Sequence, residues 1–184
     1  MFKQLSQNVI GEISQVFERM DDSSIRPLME LIKTAPRIFL LGAGREGLST
    51  KTFAMRLTHL GKTAHWIWDD TTPAIGKGDV LICTSGSADI GHINHVASMA
   101  KQAGASIALV TASRSGYLTG LADVTACLPA EAYNAKGDFV KSGQLMGNLF
   151  EQCLFILFDI IVMMLREEMS VSREEMVARH RNVE

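Results

Sequence analysis

Two short segments hold the residue types and spacing that bind anions. Gly42-Ala43-Gly44-Arg45-Glu46-Gly47 follows the apolar run Ile38-Phe39-Leu40-Leu41 and opens a helical pattern; Ser85-Gly86-Ser87 follows the apolar run from Val80 to Thr84. Glycines permit a tight turn and a close approach of backbone N–H groups to an anion, and a helix start adds partial positive charge. The first segment has the G-x-G-x-x-G spacing of a dinucleotide loop, with Asp69 about where a ribose-binding acid would stand. A tight strand-to-helix turn without a ligand has the same spacing. The second segment sets two hydroxyls around a flexible glycine, so both can donate to one phosphate, although a plain serine-rich turn reads the same way. Taken together, the two loops suit a sugar phosphate, one facing the phosphate and the other the sugar.

Other chemistries find less support. His92 and His95 are three apart on a helix, but no carboxylate or cysteine is arranged with them as a ligand set, so no metal site is expected. Cys83, Cys127 and Cys153 form no C-x-x-C and sit among apolar neighbours, which reads as free thiols in a reducing, cytoplasmic setting. With a formal net charge of −2, the chain lacks the basic balance of a nucleic-acid binder, while a local anion site needs only a few donors. The stretch Cys153 to Leu165 is broken by Asp159, and Glu151 lies just before it, which falls short of the ~18 uninterrupted apolar residues of a membrane span. A helix buried between subunits is expected instead.

The elements that position these loops follow from periodicity. Phe2, Leu5, Val9, Ile13, Val16 and Met20 recur at helical spacing. Ser24 can cap a second helix, carrying Ile25, Leu28, Leu31 and Ile32, which Pro36 ends. Strands are predicted at 38–41, 64–68, 80–84, 106–111 and 124–128, with helices over 48–60 and 89–103 between them. The segment 130–143 is polar and glycine-containing, hence a loop. Ser172 and Glu175 form a capping-box pattern for a last short helix. Nearly continuous apolar strands separated by helices imply one α/β domain over residues 1–184, a doubly wound five-stranded parallel sheet flanked by helices.

At this point the chain resembles the sugar isomerase (SIS) domain family, and within it the 6-phospho-3-hexuloisomerases of the ribulose monophosphate pathway. The resemblance rests on Gly42-Ala43-Gly44-Arg45, Phe53-Ala54-Met55-Arg56-Leu57-Thr58-His59-Leu60-Gly61, Thr71-Thr72-Pro73-Ala74-Ile75 and Ser85-Gly86-Ser87. It continues through Leu121-Ala122-Asp123, Met146-Gly147-Asn148-Leu149-Phe150-Glu151-Gln152 and the closing Arg179-His180-Arg181-Asn182-Val183-Glu184. It implies interconversion of 3-hexulose 6-phosphate and fructose 6-phosphate without a cofactor, in a homotetramer; the residues themselves leave a homodimer open, and no nucleic-acid or membrane partner is expected from the composition.

The implied chemistry needs one base to take the C2 proton, form an enediolate and return a proton at C3. A carboxylate with a pKa lifted by partial burial can shuttle it. Glu151, in the segment matching the family's Leu-Phe-Glu, is the candidate base; a glutamate stabilised by the helix macrodipole is the plain alternative. Gly44, Arg45, Ser85, Gly86 and Ser87 are the candidate phosphosugar contacts. His59 lies twelve residues beyond Gly47, about 18 Å along a helix at ~1.5 Å per residue, and cannot easily reach its own loop. The resemblance implies that it serves a neighbouring subunit's site, with His180 as a rival; a buried structural histidine is the alternative. Two positions depart from the family pattern. Glu46 stands where a serine is usual, either beside the anion site or pointing outward, and Ile90 stands where a threonine is usual.

Overall fold

The computed structural model describes residues 1–183; Glu184, the last residue of the closing segment quoted above, lies outside the described residues. Five parallel strands form one sheet: β1 (Arg37–Leu41), β2 (Thr63–Trp66), β3 (Val80–Thr84), β4 (Ser106–Thr111) and β5 (Val124–Cys127). Their order is β2-β1-β3-β4-β5. Phe39 pairs with His65 on one side and Leu81 on the other, and Leu81 continues to Ile107. The chain leaves β1 outward to β2 and returns to β3. The loops after β1 and β3 therefore diverge, leaving the crevice where open α/β sheets take ligands.

Side-chain alternation assigns each strand residue to a face. Ile38, Leu40, Val80, Ile82, Ala108 and Val110 face one layer, made by α1 (Phe2–Glu18), α2 (Arg26–Thr34), α3 (Gly44–His59) and α6 (Asn148–Glu168). Phe39, Leu41, Leu81, Cys83, Ile107 and Leu109 face the other, covered by α4 (Gly91–Gln102) and α5 (Tyr117–Leu121). Because helices cover both faces, the strands are apolar at nearly every position, which is the pattern the sequence shows. A short α7 (Arg173–Ala178) closes the chain with the expected capping box: the Ser172 hydroxyl accepts from Glu175 N at 3.1 Å and Ser172 N donates to the Glu175 carboxylate at 2.8 Å.

Three local expectations shift. A 3-10 turn over Asp22–Ser24 precedes α2, and its cap is Asp21, whose carboxylate accepts from Ser24 N; Ser24 itself caps nothing. The helix after β1 begins at Gly44, four residues before the expected start, so four of the six residues of the glycine motif are helical. α5 is not among the expected helices, because its five residues are too few for periodicity to register.

By length and composition α6 is apolar enough to cross a bilayer: its 21 residues include a window of mean hydropathy 1.9, half of it buried. The buried half is the stripe Leu149, Phe150, Cys153, Leu154, Leu157, Phe158, Ile161, Val162 and Leu165. It packs on α3, with the rings of Phe53 and Phe158 stacked at 4.1 Å. The outer face carries exposed Phe155 and Met163. Cys83 and Cys153 are buried and Cys127 half-buried, all free thiols. Burial pushes Cys83 and Cys153 up to about 12, so neither offers a thiolate nucleophile.

Candidate active site

The glycines around the crevice are there first for packing. A Cβ on Gly42 would lie 2.5 Å from Thr84 Oγ1, and one on Gly47 would lie 2.8 Å from the Gly42 carbonyl. Their absence lets the end of β1, the start of α3 and the end of β3 close on one another. The buried Thr50 and Thr84 hydroxyls then meet at 2.7 Å. Gly44 lies outside this contact, exposed, at φ +53°, a left-handed conformation that glycine adopts without strain. Asp69, three residues beyond β2, is paired with Lys51 Nζ at 3.0 Å.

Glu46 points inward, which corrects the outward alternative. It sits in the first turn of α3, and its carboxylate accepts from Gly86 N at 3.2 Å and 3.4 Å. Gly86 is required there: a Cβ would approach the Ala132 methyl to 2.4 Å and Glu46 Oε1 to 3.1 Å. Burial pushes the Glu46 carboxyl up to about 7; the Gly86 hydrogen bond pulls the other way, and the nearby Glu151 charge adds to the rise. Glu46 and Ser87 line a cleft of about 840 Å³ over the carboxyl ends of the strands, together with Asp89, Ile90, Ser115 and Lys136.

The serine loop divides its labour. Ser85 is fully buried, and its hydroxyl has no hydrogen-bond partner among the described residues. The Ser87 hydroxyl faces the cleft and accepts from Asp89 N at 3.3 Å. Ala88 follows in a left-handed conformation at φ +56°, buried, in a turn closed by Ala88 N on the Ser85 carbonyl at 3.0 Å. Non-glycine residues in that region are uncommon and concentrate at functional turns.

Glu151 lies in the first turn of α6, and its side chain is 14% exposed. The Arg45 guanidinium donates to its carboxylate and, at 2.7 Å, to the Asn148 side-chain oxygen. Ser49 reaches the Glu151 carbonyl at 3.2 Å. Arg45, Ser49 and Glu151 line a second cleft, of about 430 Å³, walled by Val9 and Ile13 of α1 and Phe155 of α6.

His59 ends α3 and is buried, with its ring 5.1 Å from that of His180 and Arg56 Nη1 3.4 Å from its Nδ1. Arg56, His59, Arg173, His180 and Arg181 line a third, basic cleft of about 530 Å³. Thirteen helical residues separate Glu46 from His59, about 20 Å at ~1.5 Å per residue. Within one protomer the structure does not bring His59 or His180 to the Glu151 and Glu46 clefts.

With the geometry in place, comparison with known proteins decides the family. The SIS domain model matches residues 31–156, from α2 to the first half of α6. The chain belongs to the SIS domain family. A 3-hexulose-6-phosphate isomerase of Mycobacterium gastri is 38% identical over 176 residues, covering 96% of this chain and 88% of the relative. The enzyme of that name from Bacillus subtilis is 31% identical over 96% of this chain and 95% of its own length. A Methanococcus jannaschii protein, whose crystal structure was read as inferring a 3-hexulose-6-phosphate isomerase function, superposes with a TM-score of 0.85 at 27% identity, covering 98% of this chain and 99% of that one.

In this SIS domain the sequence-derived contacts fall into three groups. Gly86 and Ser87 gather with Glu46, while Arg45 gathers with Glu151, and His59 with His180. Gly44 lies beside a separate cleft lined by Trp66 and Trp68. Sequence reasoning missed Lys136, an exposed cation in the 130–143 loop that lines the Glu46 cleft and has no carboxylate partner among the described residues. Nothing in a polar loop's composition marks one lysine above another; only the fold returns it to the strand ends.

Proposed function

We propose that this SIS domain interconverts 3-hexulose 6-phosphate and fructose 6-phosphate, as a cytoplasmic homo-oligomer in a ribulose monophosphate route. The observation that carries the reading is the shielded Glu151 carboxylate, oriented by Arg45 and Asn148 and near enough to Glu46, beside the serine loop, for its charge to act on that carboxyl. Glu151 takes the C2 proton of the 3-ketose, the C2–H electron pair forms the C2=C3 bond as the carbonyl pair moves to the C3 oxygen, the O2 hydroxyl proton passes to O3, and the carboxyl returns its proton to C3 as the C2 carbonyl forms. Arg45 holds the carboxylate and has further N–H donors to offer the enediolate oxygen. The phosphate is received by Ser87, Lys136 and the backbone of the serine loop.

His59 and His180 would serve a neighbouring protomer, since about 20 Å separates them from their own Glu46. Exposed Phe155 and Met163 on α6, and exposed Leu5 and Ile10 on α1, are apolar surface that self-association would cover. The direct test incubates chelator-treated protein with 3-hexulose 6-phosphate, no nicotinamide added, and follows fructose 6-phosphate by chromatography. Product formation at an enzymatic rate supports the assignment, and its absence refutes it.

A further inference from the structure

Glu46 places an acid on a donor that would otherwise be offered to an anion. Its carboxyl accepts from Gly86 N, the central N–H of the serine loop, and faces the cleft that Ser87 and Lys136 line. A carboxylate there repels a phosphate; a carboxylic acid does not. One oxygen of the acid can keep the Gly86 N–H while the other donates its O–H to a phosphate oxygen, which an ionised carboxylate cannot do.

Resting on the phosphosugar reading above, we propose that Glu46 is an anion-binding and specificity-determining residue that receives the ligand's phosphate as a carboxylic acid, so that binding takes up one proton. The groups around it favour this state. Glu151 on α6 adds negative charge to its surroundings, and the Arg45 guanidinium that could offset it is turned to Glu151. Asp89 from the loop before α4 lines the same cleft, so Lys136 is the one cation there among the described residues; Tyr133 contributes an uncharged phenol. Burial already brings the Glu46 carboxyl to about 7, so the acid is available near neutral pH.

The experiment is calorimetric titration with glucitol 6-phosphate, which has no carbonyl to isomerise, at pH 6 and pH 8 in two buffers of different ionisation enthalpy. The parent is compared with Glu46→Gln, which keeps an N–H donor without titrating, and with Glu46→Ser. The parent should take up close to one proton per ligand at pH 8. Its affinity relative to Glu46→Gln should fall about tenfold from pH 6 to pH 8, as the competent fraction falls. The comparison removes the ligand's own titration, since a phosphate monoester's second pKa is about 6 in all three chains. Equal proton uptake and parallel pH profiles in parent and variants would overturn the proposal while leaving phosphosugar binding intact. If no chain binds the probe at either pH, the phosphosugar reading fails and this inference falls with it.

Discussion

Arg45, in the first turn of α3, donates to the carboxylate of Glu151 in the first turn of α6, joining two helix starts 106 residues apart in the chain. The Asn148 side-chain oxygen accepts from the same guanidinium at 2.7 Å, so the ion pair has a fixed orientation. A carboxylate held this way has a fixed position in the cleft that it lines with Arg45 and Ser49. That is what a proton shuttle between adjacent carbons requires, because the same group must reach C2 and then C3.

Glu151→Gln should therefore abolish turnover and spare binding. The amide keeps its shape and still accepts from Arg45, but has no basic oxygen. General-base catalysis is worth roughly 10²–10⁴, so a loss in that range in kcat is expected, with glucitol 6-phosphate affinity within about threefold of the parent. Steady-state kinetics and calorimetry on the same preparation measure both. A variant retaining more than a tenth of the parental kcat would remove Glu151 from the mechanism.

Sites completed between protomers make a separate demand. His59→Ala and Glu151→Gln chains should each be weakly active alone and regain activity when mixed under conditions that exchange subunits. If each hybrid pair restores one whole site, up to about a quarter of parental activity returns. Light scattering on the same samples should give an oligomeric mass. A monomer, or mixtures no more active than their parts, would confine His59 to a structural role beside His180.

Stability should depend on pH through Asp79. Burial pushes this carboxyl up, but hydrogen bonds from Arg37 at 2.9 Å and 2.6 Å and from Gly76 N at 2.8 Å outweigh it, leaving its pKa below the ordinary value. A depressed folded-state pKa contributes stability above the unfolded value of about 3.9 and loses it as pH falls through the folded value. Asp79→Asn should thus lower the thermal midpoint by several degrees at pH 7, with the gap to the parent closing below about pH 4. A gap unchanged between pH 7 and pH 3 would mean that the charge is not what stabilises the pair.

How much of this was legible in the sequence depends on what kind of signal each residue gives. Ile38 to Leu41, Val80 to Thr84 and Ser106 to Thr111 read as buried strands because two helical layers leave no polar face, and the observed strands match them within a residue. The capping box at Ser172 is a purely local hydrogen-bond pattern, and it forms as read. The departure at Glu46 is legible in the sequence but its direction is not, because which way a first-turn side chain turns depends on the loop after β3, forty residues on. The distance of His59 from the glycine loop is legible as helical rise over twelve residues. The grouping of Arg45 with Glu151 is instead set by how α3 lies on α6, and no spacing within either segment encodes that.

If one proton moves between C2 and C3 of a ketose 6-phosphate, isotope from solvent must enter at those two carbons and no others. Fructose 6-phosphate is incubated with the protein in D₂O, without cofactor, and examined by NMR before and after phosphatase treatment. Deuterium should enter fructose at C3, and a 3-ketose deuterated at C2 should accumulate beside it; Glu151→Gln should do neither. Deuterium at C1 of fructose instead, with an aldose phosphate forming, would mean that the enediolate spans C1 and C2. That result, or no exchange at any carbon, would contradict the assignment.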